Sequence, residues 1–175
     1  MRFSHKSIPT CVLALIIVAL FACVSADEKP TPGMPPNPVS QKLMAIVTAA
    51  KADLTSVDNL QLKELMESGE KIRLIDVRTQ AEYDQGHIAG AEWFPRGTID
   101  FDAMMGKLGE THETYILYCK KGPRAILAAK MLKDIGYEDV RYLLGGFVGW
   151  IEEGNSVYNR HGEIKVVDFE KKEPK

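Results

Sequence analysis

Between Thr55 and Arg160, short apolar runs alternate with segments of helical periodicity, and that alternation leaves few ways to fold. Ile72–Asp76, Ala91–Phe94, Tyr115–Tyr118 and Val140–Leu144 read as strands, the second closed by Pro95. Helices fill the intervals. Asp58 is placed to cap a helix over Leu60–Met66, which Gly69 ends. Thr79 and Glu82 form a capping box for a short helix to about Gln85. Phe101–Leu108 reads as another short helix. Arg124–Ile135 is the clearest: Leu127, Met131 and Ile135 recur at every fourth position, Ala128 and Leu132 lie beside them, and Gly136 follows as a stop. Gly145 and Gly146 turn the chain into a last helix from Phe147 to about Glu153. Strands separated by helices run parallel, so the expected class is α/β, with a central parallel sheet flanked by helices on both faces. Sites in such sheets form at the carboxyl ends of the strands.

The flanks follow other rules. Arg2 and Lys6, then the apolar run Cys11–Phe21, then Val24-Ser25-Ala26, have the order of an export signal over residues 1–26, cleaved before Asp27. An uncleaved anchor and a lipoprotein acylated on Cys23 are the other outcomes, and only these imply membrane contact. The expected location is therefore outside the cytoplasm: periplasmic in a Gram-negative cell, otherwise secreted or membrane-anchored. Residues 27–38 hold five prolines and read as an extended linker. Residues 39–53 read as a helical extension that packs on the domain through Leu43, Met44, Ile46, Val47 and Ala50. The folded domain spans residues 55–160, and residues 161–175 form a charged tail. A net charge of −2 provides no basic face for nucleic acid.

Cys11 and Cys23 lie in the leader, so Cys119 is the only cysteine once that leader is removed. An odd cysteine in an exported chain is either buried and inert or a reactive thiol. Its surroundings favour the second. Cys119-Lys120-Lys121-Gly122-Pro123-Arg124 follows a strand and opens a helix. The helix N-terminus, the basic side chains and a Gly-containing turn able to point N–H groups inward all favour a thiolate and attract an anion.

Leu74-Ile75-Asp76-Val77-Arg78, Glu82-Tyr83 and Gly86-His87-Ile88-Ala89-Gly90-Ala91 resemble the N-terminal half of a rhodanese-like domain. Cys119-x-x-Gly122-x-Arg124-Ala125 resembles its active-site loop, and Leu144-Gly145-Gly146 with Trp150 and Gly154 its C-terminal signature. The resemblance implies sulfurtransferase chemistry through a cysteine persulfide. Cys119 becomes the sulfur-accepting nucleophile, and Lys120, Lys121, Gly122, Pro123 and Arg124 the loop that cradles persulfide and substrate. Asp76 and Arg78 become supporting residues that fix the loop from behind. Glu82 is read as a capping acid, and His87 as a residue holding a turn. The implied partners are a small anionic sulfur donor such as thiosulfate, a thiol or cyanide acceptor, and a protein sulfur acceptor in the carrier reading. No cofactor is implied, and His112 and His161 show no metal-ligand spacing.

The chain departs from the family in having Ala125 where many relatives have serine, and in having one module only. Two other functions compete. Phosphatases and arsenate reductases on the same fold use a C-x5-R loop; Cys119 to Arg124 is C-x4-R, which suits one sulfur atom and is tight for a tetrahedral oxyanion. A persulfide carrier or binding module without turnover of its own would share every one of these motifs.

Overall fold

The computed structural model describes residues 37–164. The leader, residues 27–36 of the linker and residues 165–175 of the tail lie outside the described residues. Five strands, β1 (Thr55–Val57), β2 (Ile72–Asp76), β3 (Glu92–Trp93), β4 (Thr114–Tyr118) and β5 (Asp139–Leu143), form one sheet in the order β1-β5-β4-β2-β3. Every neighbouring pair is parallel. The connections carry α2 (Asn59–Glu67), α3 (Gln80–Gln85), α4 (Ile99–Met104) and α5 (Pro123–Asp134), with α1 (Pro38–Ala52) before the sheet and α6 (Gly146–Glu152) after it.

Alternation along the central strands sorts side chains onto two faces. On β4, Tyr115 and Leu117 join Ile75 and Val77 in a core with Ile99 of α4 and Ala125, Ala128, Ala129 and Leu132 of α5. The small residues of α5 let that helix lie close to the strand. Ile116 and Tyr118 face the other way, against Leu62 of α2, Ile88 and Trp150 of α6. Cys119 continues the first series, on the α5 face.

Several boundaries differ from expectation, each for a local reason. Pro38 is the first residue of α1 rather than the end of the linker: Asn37 accepts the Ser40 N–H at 2.8 Å, and a proline costs nothing at the first helical position. Only Val47 and Ala50 of the expected packing stripe are buried, against Ile126 and Tyr142, while Leu43, Met44 and Ile46 are exposed. Helix α4 starts earlier than predicted, where Pro95 accepts the Ile99 N–H, and stops before Gly106, whose φ of +71° suits glycine. The tail begins with structure: β7 (Gly162–Ile164) pairs antiparallel with β6 (Val157–Asn159).

Candidate active site

Strand β4 ends at Tyr118, and Cys119 follows at its carboxyl end, 1% exposed. The Gly122 N–H donates to the Cys119 Sγ at 3.1 Å. Gly122 holds φ +118°, a region that side chains disfavour, and this turn feeds Pro123 directly into the first position of α5. The thiol therefore sits at the N-terminus of a helix of 12 residues, where the backbone presents N–H groups and partial positive charge.

Helix α6 fixes the loop from the opposite side. The Phe147 N–H donates to the Cys119 carbonyl at 2.8 Å, and the Val148 N–H donates to the Lys120 carbonyl at 3.0 Å. A trans peptide points its N–H away from its C=O, so both bonds turn the Lys120 and Lys121 N–H groups away from α6. Gly146 makes the approach possible: it holds φ +60°, and a Cβ there would stand 2.5 Å from the Cys119 carbonyl oxygen.

Under α6 lies a buried ion pair. Arg78 Nη2 donates to Asp76 Oδ2 at 2.6 Å and to the Gly86 carbonyl at 2.6 Å, while Arg78 Nε shares both Asp76 oxygens at 3.0 Å. The guanidinium stacks on Phe147, 3.9 Å from its ring centroid. The pair thus supports the residue that binds the Cys119 carbonyl, from the face of the sheet opposite the thiol. Tyr118 lies over the same guanidinium, and burial foremost pushes its hydroxyl well above the ordinary tyrosine range.

Arg124 occupies a place the sequence reading did not give it. Its Nη1 and Nη2 donate to Glu82 Oε2 and Oε1 at 2.8 and 2.9 Å. The Arg124 hydrogen bonds pull the Glu82 carboxyl down to about 2, and the same bonds raise Arg124. Arg124 lies in the first turn of α5, two residues beyond the Gly122 that bonds the thiol. It is thus held beside the thiol with its charge matched by a carboxylate, rather than standing as a free loop cation. Lys120 and Lys121 are exposed and make no ion pair among the described residues.

Residues 58–153, more than half of the chain, match the family model for the rhodanese-like domain. The chain belongs to the rhodanese-like family. Over 105 residues it is 35% identical to a probable adenylyltransferase/sulfurtransferase, MoeZ, of Mycobacterium tuberculosis, a match covering 60% of this chain and 26% of that protein. This chain therefore spans about a quarter of that relative. It is 30% identical to thiosulfate sulfurtransferase 18 of Arabidopsis thaliana, across 62% of this chain and 87% of that one. Among solved structures, the polysulfide-sulfur transferase homodimer of Wolinella succinogenes superposes with a TM-score of 0.58 at 28% identity, covering 70% of this chain and 91% of that chain.

Within this rhodanese-like site, Glu82 is the residue that sequence reasoning passed over. It does cap α3: Oε2 accepts the Thr79 N–H and hydroxyl, both at 3.0 Å. The same oxygen reaches across 42 positions to Arg124. The capping box explained the residue completely and so concealed its second partner; its place in the Glu82-Tyr83 motif was the one available signal. His87 is engaged by other partners. Its ring stacks on Tyr83 at 3.9 Å, its Nδ1 lies 3.1 Å from the Tyr83 carbonyl, and its main chain pairs with Tyr158.

Proposed function

We propose that the protein is an exported sulfurtransferase that carries a sulfane sulfur on Cys119. The thiolate attacks the outer sulfur of thiosulfate or a similar donor. A new S–S bond forms, the donor's S–S bond breaks, and its electron pair leaves with sulfite. The enzyme is left as a persulfide anion, so charge and atoms balance. A thiol or cyanide then attacks the terminal sulfur and returns the thiolate. This is two-step covalent catalysis. The Gly122 N–H, joined by the Lys120 and Lys121 N–H groups that point away from α6, holds the anionic sulfur, as donors aimed at developing charge do.

The observation that carries this reading is the Gly122 N–H bonded to Sγ at 3.1 Å, at the start of α5 and the end of β4. The names of the relatives support sulfur transfer in general. Thiosulfate as donor rests on the Arabidopsis relative and on the exposed Lys120 and Lys121. Export rests on the sequence pattern of residues 1–26. Steady-state rates with thiosulfate and cyanide varied together test the mechanism. Parallel double-reciprocal lines, abolished in Cys119→Ser, are expected; intersecting lines or an active serine variant contradict it.

A second reading has one specific observation in its favour. A putative sulfur carrier protein of Bacillus subtilis, YrkF, is 33% identical over 88 residues, covering 50% of this chain and 46% of that one. A carrier would take sulfur from a protein persulfide faster than from thiosulfate, and comparing the two rates separates the readings.

A further inference from the structure

We infer that Glu82 weakens the preference of this site for doubly charged donors, by cancelling Arg124 beside the thiol. The inference rests on the sulfur-transfer reading and deepens it. Glu82 is no bystander at the rim: both its oxygens are engaged by the Arg124 guanidinium, and Oε2 is also tied to the first turn of α3. Its position is therefore fixed, and so is that of Arg124, which stands in the first turn of α5, two residues beyond the Gly122 that bonds the thiol.

The consequence is electrostatic. Without Glu82, an incoming donor would meet the full charge of Arg124 in addition to Lys120 and Lys121. With Glu82 in place, the guanidinium keeps its geometry and loses most of its net attraction for an anion, because a carboxylate lies within hydrogen-bond distance of it. The penalty from one fixed charge grows in proportion to the charge of the donor. A dianion such as thiosulfate therefore pays twice what a monoanion pays. Glu82 therefore narrows the advantage that the basic loop gives a dianionic donor over a singly charged one such as a thiosulfonate or a hydropersulfide. Glu82 is a positioning residue in this scheme, since it acts through Arg124 and touches no reacting atom.

Thiosulfate and benzenethiosulfonate give a direct test, as the first carries two charges and the second one, and both deliver their outer sulfur to a thiolate. In Glu82→Gln, the KM for thiosulfate should fall roughly three- to tenfold with kcat little changed. The KM for benzenethiosulfonate should fall by about the square root of that factor. Arg124→Met, which leaves Glu82 unbalanced, should raise both constants with the same square relation. Thr79→Ala loosens the α3 cap without changing charge and should leave the ratio of the two constants where it was. Equal shifts for both donors in Glu82→Gln, a rise in the thiosulfate KM, or a changed ratio in Thr79→Ala would each overturn the inference. A wild-type protein that takes sulfur from neither donor overturns the sulfur-transfer reading itself.

Discussion

The molecule places two arginine–carboxylate pairs around one loop, and they differ in almost everything but chemistry. Arg78 and Asp76 are two residues apart and sealed, with side chains 4% and 0% exposed. Arg124 and Glu82 are 42 positions apart and lie at the rim, with side chains 35% and 29% exposed. The sealed pair is joined by several hydrogen bonds, braces α6 through Phe147 and stands on the far face of the sheet from the thiol. The rim pair faces the thiol and the solvent. A buried pair costs several kcal/mol to break, because the survivor is stranded without water. A rim pair costs little to break, and its charge is felt by whatever approaches. The first therefore holds the frame, while the second sets the field.

The largest expected effect comes from breaking the frame. Asp76→Asn should strand Arg78 and lower stability by about 3–5 kcal/mol, read from the midpoint of urea unfolding. The double variant Asp76→Leu/Arg78→Met should cost much less than the two single changes summed. A loss below 1 kcal/mol in Asp76→Asn would erase the contrast between the pairs. Next comes the contact through which the frame reaches the loop. Gly146→Ala would press a Cβ to 2.5 Å from the Cys119 carbonyl oxygen at φ +60°, so a loss of about 1–3 kcal/mol and a markedly slower reaction of Cys119 with thiosulfate are expected. Unchanged reactivity would mean that α6 does not shape the site.

The rim pair supplies the smallest stability effect and a distinct pH signature. The Glu82 carboxyl is held at about 2, against an ordinary 4.5, chiefly by Arg124. A depressed carboxyl stabilises the fold fully above its unfolded value and loses that contribution as pH falls through the folded one. Solvent screening leaves the contribution at about 1 kcal/mol. Wild type should thus exceed Glu82→Gln in stability by about that amount at neutral pH, and the gap should close between pH 4.5 and about 2. A gap that persists below that window assigns the effect to packing instead.

These pairs also show what a sequence can and cannot disclose. The strands β2, β4 and β5 and the helices between them follow from periodicity, the Asp58 cap from its place just before a helical run and the Thr79 cap from its spacing to Glu82, because those signals are local. The thiol, its glycine turn and the following helix are contiguous and were legible for the same reason. Strand β1 was not, since three residues with an edge-strand burial pattern carry no period. Of the hairpin that ends the described chain, β7 lies where charge and polarity suggested only a tail. The Arg124–Glu82 pair joins segments whose proximity exists only after α3 and α5 have packed on the sheet. In α1 the apolar stripe was readable, but how much of it the domain covers was not: Val47 and Ala50 are buried, Leu43 and Ile46 are not.

Sulfur on Cys119 is the claim on which the rest depends. Incubation of the purified protein with thiosulfate, followed by intact-mass and peptide mass spectrometry, tests it directly. A gain of one sulfur atom is expected, located on the peptide that contains Cys119, discharged by cyanide and absent in Cys119→Ser. An unchanged mass, or an adduct that survives the serine substitution, would contradict it.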